Sequence, residues 1–222
     1  MKNLISVSLV STSMLLATAA TALAEPGDPS ANRTMPAVSN ALELTIGALY
    51  AQGTGDLGGD LPSVEDVAGP GAGLEASIGW RVTPDLLLGG YTNLSGFGDS
   101  DDSNNGAVSF SAGIEADWHF LPAAELDPWI SLGTGVKFLG IEDGDNDRAL
   151  TGLELAKVQV GLDYRLSPHF AIGPVIGASA TMFNHQYDDK MSDDAMEIDG
   201  KEVNWTFSAG LLGRFDTFGT TR

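Results

Sequence analysis

The sequence predicts an all-β fold, an eight-stranded antiparallel up-and-down β-barrel that crosses a membrane. Three observations carry this. Side chains alternate with a period of two in eight segments, the connections between segments alternate long and short, and opposite charges balance on one strand face of a strongly acidic chain.

The clearest alternation is VSFSAGIEADWHF, residues 108–120. Its even positions are all apolar, from Val108 to Phe120. Its odd positions are polar or glycine, with Glu115, Asp117 and His119 among them. The same period runs through 41–52, 72–82, 86–95, 106–120, 129–139, 153–166, 169–183 and 202–216. Each segment is long enough to cross a bilayer as a tilted strand, which takes about 9–11 residues. No segment has a clear helical period, and after the first 24 residues no stretch has the roughly 18 apolar residues of a transmembrane helix. Pro174 falls inside the seventh segment, where a closed barrel offers no free edge, so a local bulge is expected there.

The connections after the second, fourth and sixth segments are short: Thr83-Pro84-Asp85, Leu121 to Pro128, and Ser167-Pro168. Those after the first, third, fifth and seventh are long, at 53–71, 96–105, 140–150 and 184–201. Long and short connections therefore lie at opposite ends, the pattern of short periplasmic turns and long external loops. A small repeat marks the short-turn end. Trp80-Arg81-Val82-Thr83-Pro84, Trp118-His119-Phe120-Leu121-Pro122 and Tyr164-Arg165-Leu166-Ser167-Pro168 share the order aromatic, basic, apolar, any, proline. Proline ends the ladder because it has no N–H to donate. The expected interfacial girdle is Trp80, Trp118, Trp129, Tyr164 and Phe170.

Charge decides which face looks inward. On the first seven segments the even positions are nearly all apolar, and on the eighth the odd positions are. The opposite face holds Glu43, Glu75, Glu115, Asp117 and Asp163 with Arg81, Lys137, Lys157, Arg165 and Arg214, five acids against five bases in a chain of net charge −19. A solvated face could share the acidic excess, but a narrow lumen must pair its charges. The expectation is a lumen closed by these ion pairs, with Glu154 the only charge on the lipid side. A soluble barrel with an apolar interior would need neither the girdle nor the division into long and short connections.

Residues 1–24 read as a secretory signal peptide, with Lys2, an apolar run and the Ala22-Leu23-Ala24 cleavage site. Residues 25–40 read as a flexible periplasmic leader, 41–216 as the barrel and 217–222 as a C-terminal tail. There is no cysteine, which excludes a disulfide framework and a cysteine zinc site. The acidity excludes nucleic-acid binding through phosphates.

With these features the chain resembles the small eight-stranded outer-membrane β-barrels, the OmpA/OmpX-like group. The resemblance covers residues 40–216. It implies a monomer in the cell outer membrane, with outer-membrane lipid, lipopolysaccharide and the barrel-assembly machinery as partners. Barrels of this class finish on an aromatic residue that the assembly machinery reads; here Phe215 and Phe218 precede Gly219–Arg222.

Most of the remaining acid lies in the long connections, which read as solvated loops. They could also contact lipopolysaccharide phosphates through a divalent cation, or a basic surface partner. Asp143, Asp145 and Asp147 have a D-x-D-x-D spacing that suits a hard cation, although Arg148 stands where an EF-hand loop needs glycine. His185 lies near Asp188 and Ser192, which raises a lipid A-modifying hydrolase, but the spacing is generic. The expected role is structural or interactive, with envelope integrity or surface contact served by the acidic loops. No catalytic residue and no cofactor beyond a loop cation are expected. The alternative is a small-solute or ion channel.

Overall fold

The computed structural model describes residues 37–59, 61–98, 106–142, 147–188, 192–217 and 219. The signal peptide at 1–24 and most of the 25–40 leader lie outside the described residues, as do Asp143, Asp145 and most of the 217–222 tail.

The strands are β1 (Ala41–Thr54), β2 (Gly71–Arg81), β3 (Leu86–Phe97), β4 (Gly106–His119), β5 (Leu126–Glu142), β6 (Arg148–Ser167), β7 (Phe170–Asp188), β8 (Ser192–Glu197) and β9 (Val203–Thr217). Among the described residues there is one short helix, α1 (Val64–Val67), in the β1–β2 connection. Every barrel pairing is antiparallel. The ladder runs in order from β1 to β7, passes to β9 and returns to β1, so β1 to β7 and β9 form a closed eight-stranded barrel. Closure leaves no strand edge facing lipid, where unpaired backbone groups would have no water to bond.

The long connection after the seventh strand is more ordered than a plain loop. β7 runs on past the point where β9 leaves it, and β8 takes over as its partner, with Gln186 opposite Met196 and His185 opposite Glu197. β5, β6 and β7 have 17, 20 and 19 residues, so this side of the barrel stands well beyond the length a bilayer crossing needs.

The apolar face looks outward. Ile46, Leu74, Ile78, Ile114, Leu132 and Phe207 are each more than half exposed, while Glu43, Arg81, Asp163 and Arg165 are almost completely buried. Trp80, Trp118 and Tyr164 are half-exposed on the outer surface near the short turns, and Phe170 stacks on Phe215 there with ring centroids 4.7 Å apart. A second aromatic ring that the sequence pattern did not single out lies toward the loops. It comprises Tyr50, Phe110, Phe138 and Trp205, with Phe110 and Phe138 6.3 Å apart. Trp118 and Phe110 are eight residues apart on β4. At about 3.3 Å per residue and a tilt near 40° this gives roughly 20 Å between the rings, close to the apolar band of such barrels.

Three expectations are corrected. Trp129 is not in the girdle. It is 2 % exposed and lies inside the lumen, because its odd position on β5 faces inward. Gly161 on β6 makes room for it, since an added Cβ there would overlap the Trp129 indole. Glu154 does not face lipid but is buried in the lumen. β6 carries a bulge between Glu154 and Ala156, so Leu155 and Ala156 both point outward and the inward parity changes from even to odd. At Pro174 no bulge forms. Its register with β9 is unbroken and its side chain faces outward. On the β6 side the ladder skips Leu162 and Asp163 opposite Gly173 and Pro174 without changing register.

A charge placed on the belt should report its depth. Ile114→Arg is expected to destabilise the barrel by about 2–4 kcal/mol, and Val82→Arg beside a short turn by about 0–1 kcal/mol. Urea unfolding in lipid vesicles measures both, and equal costs would mean that Ile114 does not face the acyl chains.

Candidate functional site

Inward parity carries the basic residue of each turn-end repeat into the lumen, where the charges meet as one network. The Arg81 guanidinium pairs with Glu43, approaches Asp216 Oδ1 at 3.2 Å and donates to the Pro84 carbonyl at 3.0 Å. Arg214 is the hub. It donates to Glu43 at 2.7 Å and Asp117 at 2.9 Å, lies 3.2 Å from Asp163, and covers the Trp129 ring at 4.1 Å. Trp129 Nε1 donates to Asp163 at 2.9 Å. Arg165 lies 3.4 Å from Asp216 and 3.8 Å from Asp127. His119 Nδ1 is 2.8 Å from Asp127 Oδ2, and Asp127 Oδ1 accepts the Leu121 N–H at 3.0 Å, which ties the network to a short turn. Planar guanidinium groups suit this, since one can serve several carboxylates at once.

Higher in the lumen is a second cluster. Lys157 lies between Glu75 at 3.2 Å and Glu115 at 3.3 Å, with its ammonium 3.8 Å from the Tyr91 ring centroid. Gln159 donates to the Glu75 carboxylate, and the Tyr91 hydroxyl donates to Glu154. The predicted lumen residues thus divide into two clusters, and Lys137 joins neither. Its ammonium donates to Thr206 Oγ1 at 2.7 Å, and it has no carboxylate within 4 Å among the described residues.

The charge balance also needs correcting. Among the described residues the buried acids are Glu43, Glu75, Glu115, Asp117, Asp127, Glu154, Asp163 and Asp216, eight against the five buried bases Arg81, Lys137, Lys157, Arg165 and Arg214. Asp127 lies before the expected start of its strand. Asp216 has inward parity at the end of β9, and that parity is the signal for it in the sequence. Glu154 was hidden by the bulge. Tyr91, Gln159 and His119 also belong to the two clusters, and odd parity was the sequence signal for each.

Both ends of the lumen are covered. At the short-turn end Ala37 donates its N–H to the Pro122 carbonyl at 2.8 Å, Asn40 donates to the Arg81 carbonyl at 2.9 Å, and Val38 is fully buried, so residues 37–40 are held against the barrel. At the loop end Leu57, Val64 and Ala68 of the β1–β2 connection pack on Phe97, Leu139, Phe183 and Ile198 in an apolar cluster.

The loop-end surface is acidic. Asp56, Glu65, Asp66, Asp147, Asp199 and Glu202 are exposed. Ser63 Oγ donates to Asp66 at 2.7 Å, and Thr54 Oγ1 donates to Glu65. Lys201, bonded to Glu197 at 2.6 Å, holds that carboxyl below the usual carboxylate range. Asp147 is exposed, and among the described residues no three His, Cys, Asp or Glu side chains are grouped to hold a metal. His185 is exposed opposite Glu197, while Ser192 pairs with Asp188 further along the ladder.

No protein-family model matches the chain. No curated protein matches it either. Solved structures do. Neisserial surface protein A aligns with a TM-score of 0.53 at 14 % identity, over 78 % of this chain and 96 % of that one. Ail, the attachment invasion locus protein of Yersinia pestis, aligns at 0.45 and 14 % identity, over 80 % and 99 %. OprG of Pseudomonas aeruginosa aligns at 0.43 and 10 % identity, over 81 % and 98 %. The chain has the fold of the small eight-stranded outer-membrane β-barrels.

The hub and the isolated lysine should respond differently to removal of charge. Arg214→Met leaves three buried carboxylates short of a partner and is expected to cost about 3–5 kcal/mol, whereas Lys137→Met should stay within about 1 kcal/mol of the parent. Urea unfolding in micelles compares them, and a cheap Arg214→Met would show that the network is not held by its hub.

Proposed function

We propose that this chain is exported through its signal peptide to the outer membrane and acts there as a non-conducting barrel that presents an acidic surface to the exterior. The supporting observation is the blocked lumen. The charge network fills the short-turn half, an apolar cluster covers the loop end, and between them lie a space of about 40 Å³ and an adjoining one of about 10 Å³. A barrel of eight strands has an interior that side chains can fill.

The loops then carry the role, in envelope integrity or surface contact. Their exposed carboxylates suit divalent cations that bridge to lipopolysaccharide phosphates, or a basic partner, and either would be strengthened by the low dielectric near the membrane. No catalytic residue is proposed.

Two measurements test this reading. In cold detergent the protein should migrate as a compact barrel and shift on boiling, after recovery from the outer-membrane fraction. In planar bilayers it should show no single-channel steps across a wide voltage range. Steps whose ion selectivity changes with Lys137→Glu or Arg165→Glu would replace the proposal with a channel.

A further inference from the structure

Between the apolar cluster and the Lys157 pairings lies a polar chamber. Its volume is about 40 Å³, and a space of about 10 Å³ adjoins it, bordered by the same Ser109, Lys137 and Thr206. Hydroxyls of Ser95, Ser109, Ser111, Ser179 and Ser208 line the larger space. Two donors border these spaces with bonds to spare. The Lys137 ammonium has three N–H groups and, among the described residues, one hydrogen bond, to Thr206. Asn204 is 3 % exposed, borders the smaller space, and has no protein partner for its Nδ2 among the described residues. Two carboxylates line the larger space: Glu75, already held by Lys157 and Gln159, and Glu154, which takes one bond from Tyr91 and is the acceptor left for a guest.

This chemistry selects the occupant. The hydroxyl lining disfavours an apolar guest, the ammonium of Lys137 disfavours a metal cation, and the volume excludes an organic solute. One water needs about 10–15 Å³ and two to four polar partners, so the two spaces hold about three. We propose that the chamber is a water-binding site in which ordered waters link Lys137 Nζ and Asn204 Nδ2 to the Glu154 carboxylate, and that the β1–β2 connection is the lid sealing it from the exterior.

The lid is built for that place. Leu57, Val64 and Ala68 press its apolar side onto Phe97, Leu139 and Phe183. Val64 donates its N–H to the Gly55 carbonyl at 2.8 Å, and Glu65 accepts from Thr54 on β1. The segment leaves β1 through Gly55, Gly58 and Gly59, at φ 107°, 98° and 60°, a conformation other residues adopt only under strain. The barrier on the outer side is therefore this apolar cover, while the ion pairs lie deeper. The inference does not depend on the physiological role, because a channel would need the same lid to move.

The chain has no cysteine, so one introduced thiol is unambiguous. The test compares Ser208→Cys in the chamber with Asp199→Cys on the exposed loop, using a small cationic methanethiosulfonate on the folded barrel. With the lid intact Ser208→Cys should react at least about 100-fold more slowly, because the reagent must wait for local opening. Adding Leu57→Ser and Val64→Ser should accelerate it about tenfold or more, with the cold-detergent gel shift confirming that the barrel is folded. Equal rates with the lid intact, or no acceleration in a folded lid variant, would overturn the lid. For the water, the Asn204 side-chain amide protons should show nuclear Overhauser contacts to a long-lived water, unchanged when chloride is exchanged for gluconate. A dry Asn204, or a resonance that follows the chloride concentration, would overturn the water site.

Discussion

Closure of the hydrogen-bonded ladder is the constraint on which everything else rests. β9 pairs with β1 along the full length from Leu42–Thr217 to Thr54–Trp205, and no strand is left with an open side against lipid. Once the sheet is closed, each side chain has only two directions, and the period of two decides between them. A residue on one parity meets acyl chains and must be apolar. A residue on the other meets seven more strands across a narrow space and must be small, or be paired.

The two ends of the lumen are sealed by different physics. Near the short turns the seal is electrostatic, with guanidinium groups from β2, β6 and β9 shared among carboxylates from β1, β4, β5, β6 and β9. Near the loops it is apolar, with a connection folded back over the barrel. A charged seal at the loop end would have to be shielded from an exterior already rich in carboxylates, whereas an apolar one is indifferent to them. The arrangement puts the polar interior in reach of the short-turn side and the dry cover toward the acidic side.

The sequence made the fold legible because parity is a geometric rule. The eight segments, the division of connections and the outward belt could all be read from it; of the ten charges expected on the inner face nine form ion pairs, while Asp127 and Asp216, which also pair there, were not among them. What escaped reading was whatever breaks the rule. The bulge after Glu154 moved one carboxylate from the lipid side to the lumen, and nothing in LTGLELAKV marks where the extra residue falls. Trp129 suits a girdle by residue type, but its odd position turns it inward. Lys137 shares the face of the paired charges, yet it lies above both clusters beside serines and threonines, and only the positions of its neighbours along the barrel axis reveal that. The β1–β2 cover was illegible for another reason: its apolar residues are few and follow no period, so they look like any loop.

The hub arginine has a consequence for assembly. Arg214 and Asp216 belong to β9, the strand that completes the circle, and their partners come from β1, β2, β4 and β6. Until that last strand docks, Glu43, Asp117 and Asp163 have lost a shared cation and Arg81 and Arg165 a shared anion. An unfinished sheet is thus a charged, poorly matched surface that lipid would reject, and zipping the seam supplies the missing partners in one step. The same side chains that block the lumen make the insertion of a half-built cylinder unfavourable.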